Sequence, residues 1–278
     1  MPRVFKHLNH LVLYILLTAG AVLMVIPFLD MVSTSFESQS YVLETPLSLI
    51  PRAPTLKNFV SAWQSNHFSL FFQNSLVVAI VTTLLSVLVS AMLAYGLARF
   101  EFRGKNFVFY AMLLTMMIPS LMLIIPQFML AKTLGLRNSL SGLILVYVSM
   151  NIPLSTFLLR GFFEQLPREL EEAVLIDGGG HFTIFFRIAL PLSTPALATV
   201  SIFTFLAAWD EFTWALTAID NPIKRTLPVA IATFQGEHLT EWGLVFAASL
   251  IAIVPVIIVF VSLQRYFVKG LTSGAVRG

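Results

Sequence analysis

Four carboxylates and three consecutive glycines lie between residues 168 and 181, in a chain that is apolar on both sides of them. Carboxylates can act as general acids or bases, or can ligate metals, when other titratable groups converge on them. The run Arg-Glu-Leu-Glu-Glu-Ala-Val-Leu-Ile-Asp-Gly-Gly-Gly offers no such partner in sequence. Its order of helix formers followed by glycines instead predicts a surface loop of two short helices, which is either an ordinary connection between spans or a knob whose tip docks in a groove of another protein.

The rest of the chain carries no catalytic or metal-binding pattern. It has no cysteine, which excludes disulfides and thiolate metal sites, and its five histidines lack ligand spacing: His7, His10, His67, His181 and His238. Gly104-Lys105 lacks the upstream glycine of a phosphate-binding P-loop. The sequence therefore predicts a protein that is not an enzyme and binds no cofactor or metal of its own.

The composition is that of a membrane protein. Of all residues, 57% are hydrophobic and only 11% are charged, whereas soluble domains carry about 25% charged residues. The chain is therefore predicted to be an all-α integral membrane protein, with a single transmembrane domain over residues 1–278.

Apolar windows between charged residues are long enough for six spans, since a spanning helix needs about 20 apolar residues. The windows are 7–29, 58–98, 106–131, 138–159, 188–209 and 242–264. The second begins with polar residues, so its span is predicted at about 73–98. The first apolar run is too long for a signal peptide and is expected to remain as a span.

The basic residues predict the orientation. With six spans, both termini lie on one side of the membrane, together with the loop at 160–190. That side holds eleven of the 17 lysines and arginines. Because cytoplasmic loops carry the excess of these residues, both termini and the loop are predicted to be cytoplasmic.

The charged loop at 160–190 is predicted to form two short helices. Pro167 suits the first turn of a helix, and the carboxylates that follow favour its N-terminal end. The glycines from Gly178 onward stop the helix, because glycine adopts left-handed backbone conformations at little cost. A second helix is expected over 181–187, and Pro191 is expected to begin the fifth span.

The spacing of Glu172-Ala173, Gly178 and Ile188-x-Leu190-Pro191 resembles the EAA loop of ABC-importer permeases. Val174 stands where that family usually has a second alanine. Further stretches are similar to the carbohydrate branch, the maltose-type second permease subunit: Asn74-Ser75-Leu76, Ala94 to Phe100, Met117-Ile118-Pro119, Trp209 to Phe212, and the ending Gly270-Leu271-Thr272-Ser273-Gly274-Ala275-Val276-Arg277-Gly278.

The resemblance implies one permease subunit of a binding-protein-dependent sugar importer in the cell membrane of a prokaryote. Its partners would be a homologous permease, two ATP-binding subunits that hold ATP and Mg²⁺, and an extracytoplasmic solute-binding protein. The last external loop, about 218–241, would reach toward that binding protein. Coupling to the ATPase is expected at Glu172, Ala173, Asp177 and Gly178, and contact of the C-terminal tail (266–278) with the ATPase pair at Thr272, Ser273 and Gly274.

Asp210 and Glu211 are the only acids that interrupt the apolar run from 188 to 219. Charge within a span usually faces a cavity or a partner. These two residues, with Trp209 and Asn151, are therefore predicted to lie in the translocation path or at the interface between permeases. A helix end at the external surface and, for Asn151, a buried structural hydrogen bond are the alternatives.

Three other functions remain open at this point. An importer of the same class could carry another solute, such as glycerol phosphate or a polyamine. A secondary transporter working alone would need an intramembrane ion site, for which Asp210 and Glu211 are the only candidates. A membrane enzyme would need a catalytic set of residues that the sequence does not contain.

Overall fold

The computed structural model describes residues 2–38, 49–65, 67–234 and 240–275, with the side chains of residues 2–9 and 267–275 excluded. Within these ranges the chain is helical and contains no β-strand. The α-helices are Pro2–Ser35, Lys57–Gln64, Phe68–Arg99, Lys105–Thr115, Ile124–Thr133, Leu140–Phe163, Glu169–Ile176, His181–Ile184, Leu190–Leu192, Thr194–Trp209, Thr213–Ala218, Leu227–Ala232 and Trp242–Ala275. Single turns of 3₁₀ helix lie at Ser120–Leu123 and Pro222–Lys224.

Among the described residues, four helices are long and apolar enough to cross a membrane, and the number of spans rises to six if each of two bent helix pairs counts as one. The four cover His10–Ser35, Phe68–Arg99, Leu140–Phe163 and Trp242–Tyr266. The prediction of several apolar helices is thus confirmed. The second span begins at Phe68, five residues before the predicted start, so Gln73 and Asn74 lie inside the helix rather than ahead of it.

The third and fifth predicted spans are broken rather than continuous. Lys105–Thr115 and Ser120–Thr133 meet at 97°, and His181–Leu192 and Thr194–Trp209 meet at 77°. A proline lies at each break: Pro119 directly precedes the second arm of the first pair, and Pro195 lies in the first turn of Thr194–Trp209. Neither proline has an N–H that could continue the hydrogen bonds of the preceding helix. At the second break the carbonyl of Pro191 accepts from the Thr194 hydroxyl at 2.6 Å. The predicted restart at Pro191 was therefore wrong: the new helix begins at Thr194.

The chain separates into two compact units: Met1–Ser69 with Ile231–Ile253, and Leu70–Ala230 with Val254–Gly278. In the first unit, a buried carboxylate organises the segment that follows the first helix. Glu37 is 4% exposed, and it accepts from the backbone N–H groups of Arg52 at 2.7 Å and Ala53 at 3.1 Å. These bonds offset the cost of burying the charge.

The second unit is held together by close helix packing. The helix Thr194–Trp209 lies along Leu140–Phe163, and the Ser155 and Thr204 hydroxyls meet between them at 3.5 Å. Small residues on the helix Phe68–Arg99, namely Ala91, Ala94 and Ala98, are buried in the main apolar cluster. Small side chains and hydroxyl pairs are typical of helix contacts in membranes, where they let backbones approach closely.

Candidate functional site

The charged loop folds into the two predicted short helices. The first runs over Glu169–Ile176 with three carboxylates in its first turn, where the helix dipole favours negative charge. The second begins at His181 and continues through a π-helical turn at Phe185–Ala189. The preceding span ends at Phe163 rather than near Arg160, because Gly161 continues the helix.

Glycines form the turn between the two helices as predicted. Gly178 has φ +81°, a left-handed conformation that glycine adopts readily. Gly179 is needed for another reason: a Cβ added there would lie 2.5 Å from Val174 Cγ1 and 3.0 Å from the Val174 carbonyl oxygen. Val174 therefore packs inward against the turn and the apolar cluster beneath it, rather than on the loop's exposed face.

Gly179→Ala is expected to destabilise the loop, because its new methyl group would overlap Val174. Overpacking of this kind costs about 1–3 kcal/mol. Faster proteolysis between the two helices would measure the effect in the assembled protein. Gly180→Ala is the control, since a Cβ at Gly180 meets nothing within 4 Å. Val174→Ala added to Gly179→Ala should restore part of the resistance to proteolysis. Equal rates of proteolysis for the Gly179→Ala and Gly180→Ala variants would contradict the overlap with Val174.

An ion pair holds the first loop helix to the second span. Arg99 Nε donates to Glu171 Oε1 at 2.6 Å, and Arg99 Nη2 donates to the Leu166 carbonyl at 2.9 Å. The side chains are 6% and 15% exposed. Since these groups are largely removed from water, their loss costs more than the loss of a surface ion pair.

Aromatic rings fill the space below this ion pair. The ring of Tyr95 meets Phe163 edge-on at 5.8 Å and Phe185 at 5.2 Å. These three residues belong to one buried cluster, which therefore joins the second span, the fourth span and the second loop helix. A movement of the loop would have to be shared by these helices, because packed cores resist continuous deformation.

The opposite face of the loop is exposed. Glu172, Ala173, Asp177 and Gly178, the four predicted coupling residues, all lie on it. Large apolar side chains lie beside them: Ile176 is 86% exposed and Phe182 is 75% exposed. An apolar patch with a carboxylate at its edge is typical of a surface that binds another protein.

The residues predicted for the translocation path separate into two environments. Asn151 and Glu211 line the same cavity of about 590 Å³ within the second unit. Trp209 is 2% exposed, stacks on Phe205 at 5.7 Å and does not line this cavity. Asp210 is exposed at the end of the helix Thr194–Trp209.

Glu211 lies two residues before the short helix Thr213–Ala218. Its carboxylate accepts from the backbone N–H groups of Trp214 at 2.6 Å and Ala215 at 3.0 Å. It also accepts from the Tyr147 hydroxyl. Asn151 Nδ2 donates to the Tyr147 carbonyl at 2.8 Å. Both predicted polar residues thus make structural hydrogen bonds while they face the cavity.

Sequence reasoning missed two groups of residues around these sites. It treated Glu171 only as a charge at a helix end, although Glu171 and Val174 are three positions apart and so share one helix face. It also assigned no role to the amide of Asn74, which donates to the carbonyls of Ile223 at 2.9 Å and Arg225 at 3.0 Å. These bonds fix the start of the long loop after residue 218.

The tail is described only in part. The backbone of Thr272, Ser273 and Gly274 continues the helix Trp242–Ala275. Their side chains, and all of residues 276–278, lie outside the described part of the chain.

The sequence from 86 to 273 matches the family model "Binding-protein-dependent transport system inner membrane component". The chain is 37% identical to a probable ABC transporter permease protein, YurM of Bacillus subtilis, over 100% of this chain and 92% of that protein. It is 38% identical to the trehalose/maltose transport system permease protein MalG of Thermococcus litoralis, over 95% of this chain and 97% of that protein.

The fold is also similar to that of solved transporters. A crystal structure of a bacterial ABC transporter that imports the acidic polysaccharide alginate contains a chain with TM-score 0.83 and 23% identity. The match covers 94% of this chain and 97% of that chain. A chain of the alginate transporter solved with its pentasaccharide-bound periplasmic protein aligns with TM-score 0.68 and 14% identity, over 92% and 94% of the two chains.

Proposed function

The chain belongs to the family of binding-protein-dependent transport system inner membrane components, and on this premise we propose that it is the transmembrane permease of an ATP-driven sugar importer. It is a multi-pass protein of the cell membrane and not an enzyme, because ATP hydrolysis in such importers belongs to a separate subunit. Its role is to convert partner ATPase cycling into alternating access for a carbohydrate.

One observation carries the coupling role. Glu172, the motif carboxylate, is exposed on a helix whose opposite face is joined to the second span by Glu171 and Arg99. A displacement of the exposed face would therefore be transmitted to a membrane helix. Glu172, Ala173, Asp177 and Gly178 are the residues that we propose to dock on the ATPase.

We propose six spans with both termini and the loop in the cytoplasm. The two bent helix pairs each count as one span in this topology. The excess of basic residues at the termini and in the loop supports the orientation. The docking surface of the loop then faces the compartment that holds ATP.

A sugar is the substrate class that the relatives support. One relative is named for trehalose and maltose, one for arabinooligosaccharides and one for diacetylchitobiose. These three relatives are 34–38% identical to this chain in alignments that cover 94–95% of it. These likenesses favour a saccharide over glycerol phosphate or a polyamine.

The proposed assembly contains this chain, a homologous permease, two ATP-binding subunits with ATP and Mg²⁺, and a solute-binding protein outside the membrane. The sugar would pass between the two permeases, close to Asn151 and Glu211. Trp209 would pack between the helices, and Asp210 would lie at the external end of the fifth span. This chain itself would bind no cofactor.

Deletion of residues 271–278 is expected to weaken assembly with the ATPase pair. The deletion removes Thr272, Ser273 and Gly274, the proposed contacts of the tail. Recovery of ATPase with the tagged, truncated chain would measure the effect, and correct membrane insertion of the truncated chain is the control. If the truncated chain recovers as much ATPase as the full chain and coupled transport is unchanged, the tail does not contact the ATPase pair as proposed.

A pull-down in mild detergent tests the proposed assembly. Tagged chain from its native membrane should bring down a second permease and an ATP-hydrolysing subunit, and sugar-loaded binding protein should stimulate hydrolysis. A homogeneous lone chain with no ATPase would contradict the proposal and favour a secondary transporter.

A further inference from the structure

The short helix Lys57–Gln64 is held to the end of the first span by its own side chains. Asn58 Nδ2 donates to the carbonyl of Ser35 at 2.9 Å and to the carbonyl of Glu37 at 2.8 Å. Ser35 is the last residue of the helix Pro2–Ser35. These bonds therefore fix the short helix beside the point where the first span ends.

One face of the short helix packs against the protein. Asn58, Phe59 and Ala62 lie within one arc of about 100°, since each residue of a helix turns by about 100°. Ala62 is fully buried, and the ring centroid of Phe59 lies 4.9 Å from that of Phe36. This face is therefore occupied by the contacts that hold the helix.

The remaining surface of the helix divides into an apolar and a polar face. Leu56, Val60 and Trp63 recur at intervals of four and three residues, so they lie on one side of the helix. Their side chains are 64%, 51% and 47% exposed. Lys57 and Gln64 form the exposed polar face. A helix that meets only protein and water needs a buried and a polar face, so the exposed apolar face requires an apolar neighbour of its own.

The position of the short helix selects the membrane as that neighbour. The chain belongs to a family of inner membrane components. Its first candidate span, His10–Ser35, has 26 residues, whereas about 20 are enough to cross the hydrocarbon core. The end of this span at Ser35 therefore lies among the lipid headgroups, and the short helix that is bonded to it lies at the same level.

The residues of the two exposed faces suit a helix that lies in the plane of the membrane. Such a helix buries its apolar face about 5–10 Å into the boundary between headgroups and acyl chains, and it places basic residues on its polar face, where they attract anionic lipids. Tryptophan is enriched at this boundary. Trp63 on the apolar face and Lys57 on the polar face fit these two requirements.

We propose that the helix Lys57–Gln64 lies in the plane of the membrane, with Leu56, Val60 and Trp63 embedded at the boundary between headgroups and acyl chains. It anchors the end of the first span at that depth. In the proposed topology this is the outer leaflet. The inference goes beyond the import function, because it requires only that the first helix crosses the membrane.

A nitroxide spin label on a single cysteine tests this contact, because the chain contains no cysteine of its own. Val60→Cys places the label on the apolar face, and Leu56→Cys repeats the measurement at a second position of that face. Lys57→Cys, exposed on the polar face of the same helix, is the matched control. The chain with its co-purified partners is reconstituted in vesicles of phosphatidylethanolamine and phosphatidylglycerol, without binding protein. Electron paramagnetic resonance then measures how often each label collides with oxygen, which dissolves in the membrane, and with a nickel chelate, which stays in water.

The labels at Val60→Cys and Leu56→Cys should collide mainly with oxygen, at a depth of about 5–10 Å, and the label at Lys57→Cys should collide mainly with the chelate. Equal collisions with the chelate on both faces would show that the apolar face meets water and would overturn the proposal. Labels on the apolar face that neither reagent reaches would show that a partner protein covers it, which would also overturn the proposal. The measurement needs no transport, so its outcome is independent of the proposed import function.

Discussion

Replacing Glu172 with alanine is expected to leave the transporter assembled but to reduce sugar uptake by about tenfold or more. The side chain is exposed on the loop, so the chain loses no packing when it is removed. What is lost is the charged contact with the ATPase that we propose for Glu172. A hydrogen bond to a charged group contributes about 1.5–3 kcal/mol, and 1.4 kcal/mol is a factor of about ten in an equilibrium constant.

Uptake and ATP hydrolysis must be measured on the same preparation to show this effect. Glu169→Ala is the matched control, because it removes an equal charge from another exposed position in the first turn of the same helix. The expected result is normal uptake for the Glu169 variant and uncoupled hydrolysis for the Glu172 variant. Equal, small effects of both substitutions would show that docking does not depend on Glu172.

Replacing Arg99 with alanine is expected to destabilise the chain by about 3–5 kcal/mol, the usual cost of breaking a buried ion pair from one side. Glu171 would remain largely buried without its partner, and the Leu166 carbonyl would lose its donor. Because the pair joins the loop to the second span, transporters assembled with the folded variant should also transport less sugar for each ATP that the partner subunits hydrolyse.

The double variant Arg99→Met with Glu171→Leu separates stability from coupling. Replacing both charges by apolar side chains is often neutral for stability, so its melting temperature in detergent should return toward that of the unchanged protein. Transport per ATP should remain low if the ion pair transmits motion. Glu101→Gln is the control, since the Glu101 side chain is 85% exposed and the loss of its pair with Lys105 should change the melting temperature far less. A stable Arg99→Ala variant with full transport would refute the role of the pair.

The sequence predicted the local features of the loop because each has a local cause. Pro167, the carboxylates and Gly178 mark the limits of the first loop helix, and the structure has that helix at Glu169–Ile176. The predicted windows likewise contain the apolar helices. Length and composition decide both features, so neither depends on knowledge of tertiary contacts.

Features that depend on distant residues could not be predicted. Glu171 and Glu172 are adjacent and chemically identical. Only the position of Arg99, 72 residues earlier, decides that Glu171 is buried in an ion pair while Glu172 is exposed. The breaks after Thr115 and at Ser193 follow from prolines, but prolines such as Pro153 and Pro255 lie within continuous helices. The sequence likewise marks Glu211 as an unusual charge in an apolar run. It does not show that Glu211 contacts Tyr147 and Trp214, because both contacts depend on the tertiary fold.

ATP-driven sugar uptake by the reconstituted assembly tests the central claim most directly. Proteoliposomes would hold this chain with its co-purified partners, and binding protein would be loaded with maltose, trehalose or diacetylchitobiose. We expect accumulation of at least one sugar that requires ATP, binding protein and an intact Glu172. Accumulation by this chain alone, driven by an ion gradient and lost on substitution of Glu211 rather than Glu172, would contradict it.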